Sequence, residues 1–284
     1  LILQIIVSGI LMGFVYSLVA VGLTLTWGVL DIINFAHGEF LMMGMYSAFW
    51  MYSLFGMDPL LSIPFAMGIV FVMGYFTYRL IIKKVINAPG LTALLATFGL
   101  SLLLRNLAQF IWSPNYRFIN QSIVMDKKIV LGSITLGVPQ MVAAISSIVM
   151  TMAVFYFVEK TKTGRAIQAT ALDKNTAKLM GIHTEKIYAL TFGISGACVG
   201  IAGALTATFF PIHPESGALY SLLAFVIVAL GGFGNIKGAL YSAIIIGITE
   251  ALGGFLFGTQ FKYALVFLIY LIVIQIKPKG LFGW

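Results

Sequence analysis

The chain has 284 residues, 60% of them hydrophobic and only 9% charged, with a mean hydropathy of +1.02. That composition excludes an ordinary soluble domain, which is about half apolar, and indicates an integral membrane protein. The net charge of +8 is not that of a nucleic-acid binder, because the apolar runs leave no soluble surface on which basic and stacking groups could cluster.

A spanning helix needs about 20 mainly apolar residues, and runs of that length recur along the whole chain. They are continuous and do not alternate residue by residue, so the spans are helices and not barrel strands. The pattern predicts helices over residues 2–28, 38–56, 60–82, 91–112, 138–158, 187–210, 217–231, 238–257 and 261–276. This is an all-α polytopic fold with eight or nine crossings, in which residues 1–284 form one transmembrane domain. Breakers set most of the limits: GMDP at 56–59, NAPG at 87–90, SPN at 113–115, PIHPESG at 211–217, GGFGN at 231–235 and KPKG at 277–280. The first run has no basic leader and no small-residue cleavage site, and it is too long for a signal peptide.

Between the first two predicted helices lies DIINFAHGEF, residues 31–40, which gathers Asp31, Asn34, His37 and Glu39 between two uncharged runs. Two geometries fit. In a turn at the membrane surface, Asn34 serves the start of the second helix and Glu39 favours its positive end. In a break within the bilayer, these groups face protein or a water-filled cavity, since facing lipid costs several kcal/mol. Charge counting favours the surface turn. HGEF lacks the H-E-x-x-H spacing that places two histidines on one helical face, so neither a metal site nor a metalloprotease is expected. Small residues four apart, Gly9 and Gly13, Gly196 and Gly200, and Ala239, Ala243 and Gly247, predict close helix packing. Cys198 reads as a small core residue. Arg105 lies seven residues from its helix end and can snorkel outward. Glu250 reads either as a helix-packing hydrogen bond or as a site near the outer mouth.

Residues 159–186 differ in kind from the rest, with nine charges in 28 residues. A connector between antiparallel helices needs only about two to eight residues. Thr163 is placed to cap a helix beginning at Gly164, Asp173 to cap a second, and Gly181 to end it in a left-handed turn with Ile182 packing back. On the first helix Ala166, Ile167, Thr170 and Ala171 share a face, opposite Gln168 and Leu172, and fit either a protein partner or a membrane surface. Twelve Lys and Arg fall on the side of this segment: Arg79, Lys83, Lys84, six within 159–186, Lys237, Lys277 and Lys279. Arg117, Lys127, Lys128 and Lys262 fall on the other. The positive-inside rule then makes 159–186 and the C-terminus cytoplasmic. Further on, GGFGNIKG has neither the phosphate-loop arrangement nor the dinucleotide spacing of glycines, so it reads as a tight turn between packed helices and no cofactor is expected on this chain.

TKTGRAIQATALDKNTAKLMGI resembles the cytoplasmic loop of permease subunits in the branched-chain amino acid branch of ATP-binding cassette importers. GVLDIINFAHGEFLMMGMY resembles that family's N-terminal signature, and IYALTFGISGACVGIAGAL and AFVIVALGGFGNIKGALYSAIIIGITEAL continue the match in order. Residues 113–137 show no family pattern. The resemblance implies an inner-membrane permease of a bacterium or archaeon that hydrolyses nothing itself. It implies a second related permease, two cytoplasmic ATPase subunits that bind ATP and Mg, and an extracytoplasmic solute-binding protein as partners. Carried onto this chain, the ATPase-coupling residues are Thr163, Gly164, Arg165, Ala166, Asp173, Leu179 and Gly181. Asn34, His37, Glu39 and Glu250 are candidates for the pathway or gate. A branched-chain or other hydrophobic amino acid is the expected solute, with urea or short amides as alternatives. A different class, a proton-coupled carrier relaying through Asp31, His37, Glu39 and Glu250, also fits the titratable groups.

Overall fold

A computed structural model describes residues 2–124, 127–131 and 134–283. The chain opens with α1 (Ile2–Leu30), whose 29 residues span about 43 Å at 1.5 Å per residue. After a non-helical stretch come α2 (His37–Phe55), stopped by Gly56 in the left-handed conformation at φ 63°, and α3 (Ile63–Thr77). One π-helical turn (Tyr78–Ile82) joins α3 to the short α4 (Lys83–Val85), and α5 (Gly90–Trp112) follows. A two-stranded antiparallel hairpin, β1 (Lys128–Leu131) and β2 (Ile134–Gly137), pairs Lys128 with Gly137 and Leu131 with Ile134. Then come α6 (Val138–Lys160), α7 (Lys162–Leu172), α8 (Lys174–Leu179), α9 (Thr184–Thr206), α10 (Ser216–Gly231), α11 (Ile236–Phe257) and α12 (Lys262–Ile276).

The fold is mostly helical but not all-α, because the β-branched residues of KIVL and ITL pair as strands. Among the described residues six segments are long and apolar enough to cross a membrane: α1, α3 with α4, α5, α6, α9 and α11; α10 and α12 are shorter apolar helices. The predicted limits hold to within a few residues. The largest difference is α9, which stops at Thr206 and not at residue 210. There the chain leaves the helix through turns that bring the N–H groups of Phe209 and Phe210 onto the Thr206 carbonyl, ahead of Pro211.

The two halves are built alike. α1, the stretch 31–36, α2 and α3 in the first correspond to α9, the stretch 207–215, α10 and α11 in the second, and the long opening helix of each half packs along the third helix of the other, α1 on α11 and α9 on α3. Small residues make both contacts possible. A Cβ on Gly13 would stand 2.7 Å from the Cα of Ile244, and one on Gly200 would stand 2.8 Å from the Ala66 carbonyl oxygen. No side chain fits there, and the resulting backbone approach supplies the dispersion contacts that lipid cannot drive hydrophobically.

Charge asymmetry maps onto the two ends of the molecule. At one end Gly28 meets Gly234 at the turn between α10 and α11, where Gly232 and Gly234 have φ 87° and 79°, as a tight glycine turn requires. The C-terminal tail folds onto this turn through Leu281 N–H to the Leu230 carbonyl (2.7 Å) and Asn235 Nδ2 to the Phe282 carbonyl (2.9 Å). Lys83 and Glu185 pair at the same end (2.7 Å). At the opposite end Arg117 bridges to Ile212, and Gln4 donates to the Thr135 carbonyl (3.3 Å).

Candidate functional site

Asp31 ends α1 with its N–H on the Trp27 carbonyl (2.8 Å) and a left-handed φ of 55°, and it is exposed. From there the chain turns back into the bundle. Nε2–H of His37 donates to the Val19 carbonyl (2.9 Å), eleven residues, or about 16 Å, inside the end of α1. Asn34 and His37 are 0% exposed and Glu39 is 1% exposed. The expectation of a surface turn is therefore corrected: only Asp31 is wet. Counting charges reads which side a loop retains, whereas here the loop re-enters after its turn.

The re-entrant backbone is held by side chains from distant segments. Asn34 Oδ1 accepts the Ala36 N–H (3.1 Å) and forms the turn before α2, although the residue at the helix cap is Ala36. Thr97 of α5 donates its hydroxyl to the Ile33 carbonyl (2.9 Å) and accepts the Phe35 N–H (3.3 Å). Arg105 Nη2 reaches Glu39 Oε1 at 2.6 Å. Arg105 therefore does not snorkel outward, because a carboxylate in the bundle is a better partner than a distant interface. Asn34 Nδ2, His37 Nδ1 and Glu39 Oε2 are buried without a protein partner.

α2 and α10 both begin inside the bundle, and their first turns touch. The Gly38 N–H donates to Ser221 Oγ (2.8 Å), which donates to the Phe35 carbonyl (3.3 Å). A Cβ on Gly38 would run into the Gly217 carbonyl oxygen, and one on Gly217 would meet the Gly38 carbonyl oxygen at 2.5 Å. Discontinuous helices at membrane depth offer backbone donors to solutes and mark transport pathways. Glu250 lies in a separate cluster. Its Oε2 accepts from Tyr16 OH (2.6 Å) and its Oε1 pairs with Lys262 Nζ (2.6 Å), which also stands 4.5 Å from the centre of the Tyr263 ring. Among the described residues no three His, Cys, Asp or Glu come together as a metal site.

Residues 159–186 form two surface helices, with one correction. The cap of α7 is Thr161, not Thr163: its Oγ1 accepts the Gly164 N–H (2.9 Å), and the helix starts at Lys162. Asp173 caps α8 as expected, accepting from Asn175 N–H (2.8 Å) and Thr176 N–H (3.2 Å). The Thr176 hydroxyl also donates to it, and these bonds hold its carboxyl below the usual range. Gly181 ends α8 at φ 82°, and the Ile182 N–H folds back to the Ala177 carbonyl (3.0 Å). Gly164, Ile167 and Thr170 are buried against the chain's own helices, so the small-residue face of α7 does not wait for a partner as the sequence alone allowed. A Cβ on Gly164 would strike the Phe157 and Val158 carbonyls, so its glycine is needed for docking α7 on α6. Thr163 and Ala166 are half-buried. Arg165, Asp173 and Gly181 are exposed, and beside them stand Leu172 (89% exposed), Leu179 (87%) and Met180 (78%).

A protein-family model described as the branched-chain amino acid transport system permease component matches residues 5–276. The chain belongs to this family. It is 32% identical to the high-affinity branched-chain amino acid transport system permease protein LivH of Escherichia coli (strain K12), over 99% of this chain and 95% of that protein. Identity and coverage are the same for BraD, the corresponding permease protein of Pseudomonas aeruginosa. A probable LivH of Methanocaldococcus jannaschii is 29% identical over 94% of this chain and 88% of its own length. No solved structure matches. The permease is thus a multi-pass inner-membrane protein of a transport family, not of an enzyme family.

Sequence reasoning missed several of the permease's buried polar partners: Thr97, Ser221, Tyr16 and Lys262. The one available signal was a polar residue within or beside an apolar run, and it does not say which other run holds the partner.

Proposed function

We propose that this chain is one of two membrane subunits of an ATP-binding cassette importer that moves a branched-chain or other aliphatic amino acid inward. Residues 1–284 act as one permease domain with eight or nine crossings, counting α2, α10 and α12. The end bearing 159–186 and the C-terminus faces the cytoplasm, because cytoplasmic loops retain Lys and Arg. ATP and Mg belong to two ATPase subunits, a second related permease completes the pathway, and an external binding protein delivers the solute. The family match and the relatives' names support this substrate class, with urea or a short amide as the alternative solute.

The observation that carries the coupling role is the near-complete exposure of Leu172 at the end of α7 and of Leu179 and Met180 at the end of α8, on capped helices, with Arg165 of α7 exposed as well. Large apolar side chains exposed this way mark a protein contact, and the planar fork of Arg165 suits carboxylates or carbonyls at its rim. Thr163, Gly164, Ala166, Asp173 and Gly181 shape and seat that surface, and Leu179 is its contact. Asn34, His37, Glu39 and Glu250 are assigned to the pathway or gate. The proton-coupled alternative has less support, since Asp31 is open to water while Glu39 and Glu250 are each held by a basic side chain.

The test is Leu172→Asp combined with Leu179→Asp in the complex reconstituted with its partners. Both positions are exposed, so the chain should still reach the membrane in normal amount. Binding of the ATPase subunits and ATP-driven uptake should both fall at least tenfold. Uptake at the parental rate would remove the segment's assigned role.

A further inference from the structure

A cavity of about 210 Å³ lies between α1, α2, the stretch 207–215, α10 and α12. At roughly 30 Å³ for each water, it has room for about seven waters, more than an internal hydration site needs. It sits in the half of the molecule away from 159–186. Tyr16, on its wall, is the fifteenth of the 29 residues of α1, and Ser216, also on its wall, is the first residue of α10. The next residue, Gly217, is pressed against Gly38. The cavity therefore ends where the two broken helices of the two halves meet, which is where transporters built from paired halves place their solutes.

The wall has three chemically different parts. Tyr16, Tyr220 and Tyr263 supply aromatic rings, the first two edge to face with centroids 6.2 Å apart. Met45 and Leu219 supply an aliphatic side. At the mouth stands Glu215, exposed and in no ion pair among the described residues, next to the first turn of α10, where the Ser216 and Ala218 N–H groups are already taken by the His213 and Glu215 carbonyls and the positive end of the helix dipole remains. A cavity between α1, α3, α6 and α9 offers a contrast: Leu18, Met67, Met150, Phe157 and their neighbours line it without one charged side chain, as suits a lipid chain.

We infer that the cavity bounded by Tyr16, Tyr220, Tyr263, Met45 and Leu219 is a binding site for one free aliphatic α-amino acid. Its ammonium group lies against the Tyr16 and Tyr220 rings and Glu215, since Lys262 already occupies the Tyr263 ring, its side chain against Met45 and Leu219, and its carboxylate toward the start of α10. Aromatic faces attract an ammonium group strongly when both are desolvated, and a helix N-terminus favours a carboxylate. Met45 and Leu219 then set the side-chain size that is accepted. This rests on the reading of the chain as an amino acid permease.

The test uses the complete transporter in proteoliposomes, with Leu219→Cys as the reporter and Phe210→Cys, at the rim, as a second. Cys198 is this chain's single cysteine and is buried, so labelling by a water-soluble maleimide, read on the separated permease band, has a low background. Leucine or isoleucine at about ten times its Kd should slow labelling roughly tenfold by mass action, while glucose and urea should not. Glu215→Gln should remove the protection. If leucine leaves labelling at both positions unchanged in a complex that imports leucine, the site is wrong and the transport function stands. If urea or a short amide protects and leucine does not, the assigned solute class is wrong. If the parental complex imports no aliphatic amino acid, the underlying reading fails, and this inference with it.

Discussion

Replacing Arg105 by alanine strands the carboxylate of Glu39. Its Oε1 receives the Arg105 guanidinium at 2.6 Å, its Oε2 has no protein partner, and the side chain is 1% exposed, so no solvent compensates the loss. Removing one member of such a buried pair costs about 3–5 kcal/mol, most of it the penalty on the charge left behind. That is roughly two to three and a half powers of ten in the folding equilibrium. Because the penalty belongs to Glu39, Glu39→Gln in the Arg105→Ala background should recover a large part of it. Asn106→Ala, an exposed neighbour on the same helix, should stay within about 0.5 kcal/mol. Denaturation in mixed micelles of the parent chain, Arg105→Ala, Glu39→Gln and the double variant closes a double-mutant cycle, with Asn106→Ala as the control. A loss below about 1 kcal/mol for Arg105→Ala, or a double variant no more stable than that single one, would refute the claim that α5 is latched to α2 through a desolvated ion pair.

Gly13→Leu should force α1 from α11, since even a Cβ would meet Ile244 Cα at 2.7 Å; melting should show a loss of at least about 1–3 kcal/mol, whereas Gly68→Leu, in open space, should not. Tyr16→Phe removes one of the two bonds to Glu250 and should lower stability by about 1.5–3 kcal/mol, the range for a hydrogen bond to a charged group. Thr161→Ala deletes the cap of α7 at a cost of about 0.5–2 kcal/mol, visible as faster amide exchange over residues 162–166, while Thr163→Ala should leave that exchange unchanged.

Helices were legible in the sequence because their causes are local. Apolar length, Gly56 after α2, Asp173 before α8 and Gly181 after it each act within a few residues of the element they bound. Small residues at four-residue spacing likewise announced tight packing, although only the fold shows that Gly9 and Gly13 face Gly247 while Gly196 and Gly200 face Val70 and Ala66. What escaped was non-local. The polar content of residues 31–40 was plain, but its burial depends on a chain reversal that brings His37 to Val19 and on an arginine 66 positions away. The inward face of α7 escaped for the same reason, since small apolar residues at helical spacing look alike whether they meet a partner or the chain's own α6. The β1–β2 hairpin lies where no family pattern helped and where strand pairing needs both strands at once.

The central claim is that this permease moves solute on the energy of separate ATPase subunits. The most direct test measures radiolabelled leucine accumulation in proteoliposomes holding the chain with its permease, ATPase and binding-protein partners, and in others holding the chain alone. The account predicts accumulation only in the complete complex and only with Mg-ATP inside the compartment that the 159–186 segment faces. Accumulation by the isolated chain under a pH gradient, without nucleotide, would contradict it.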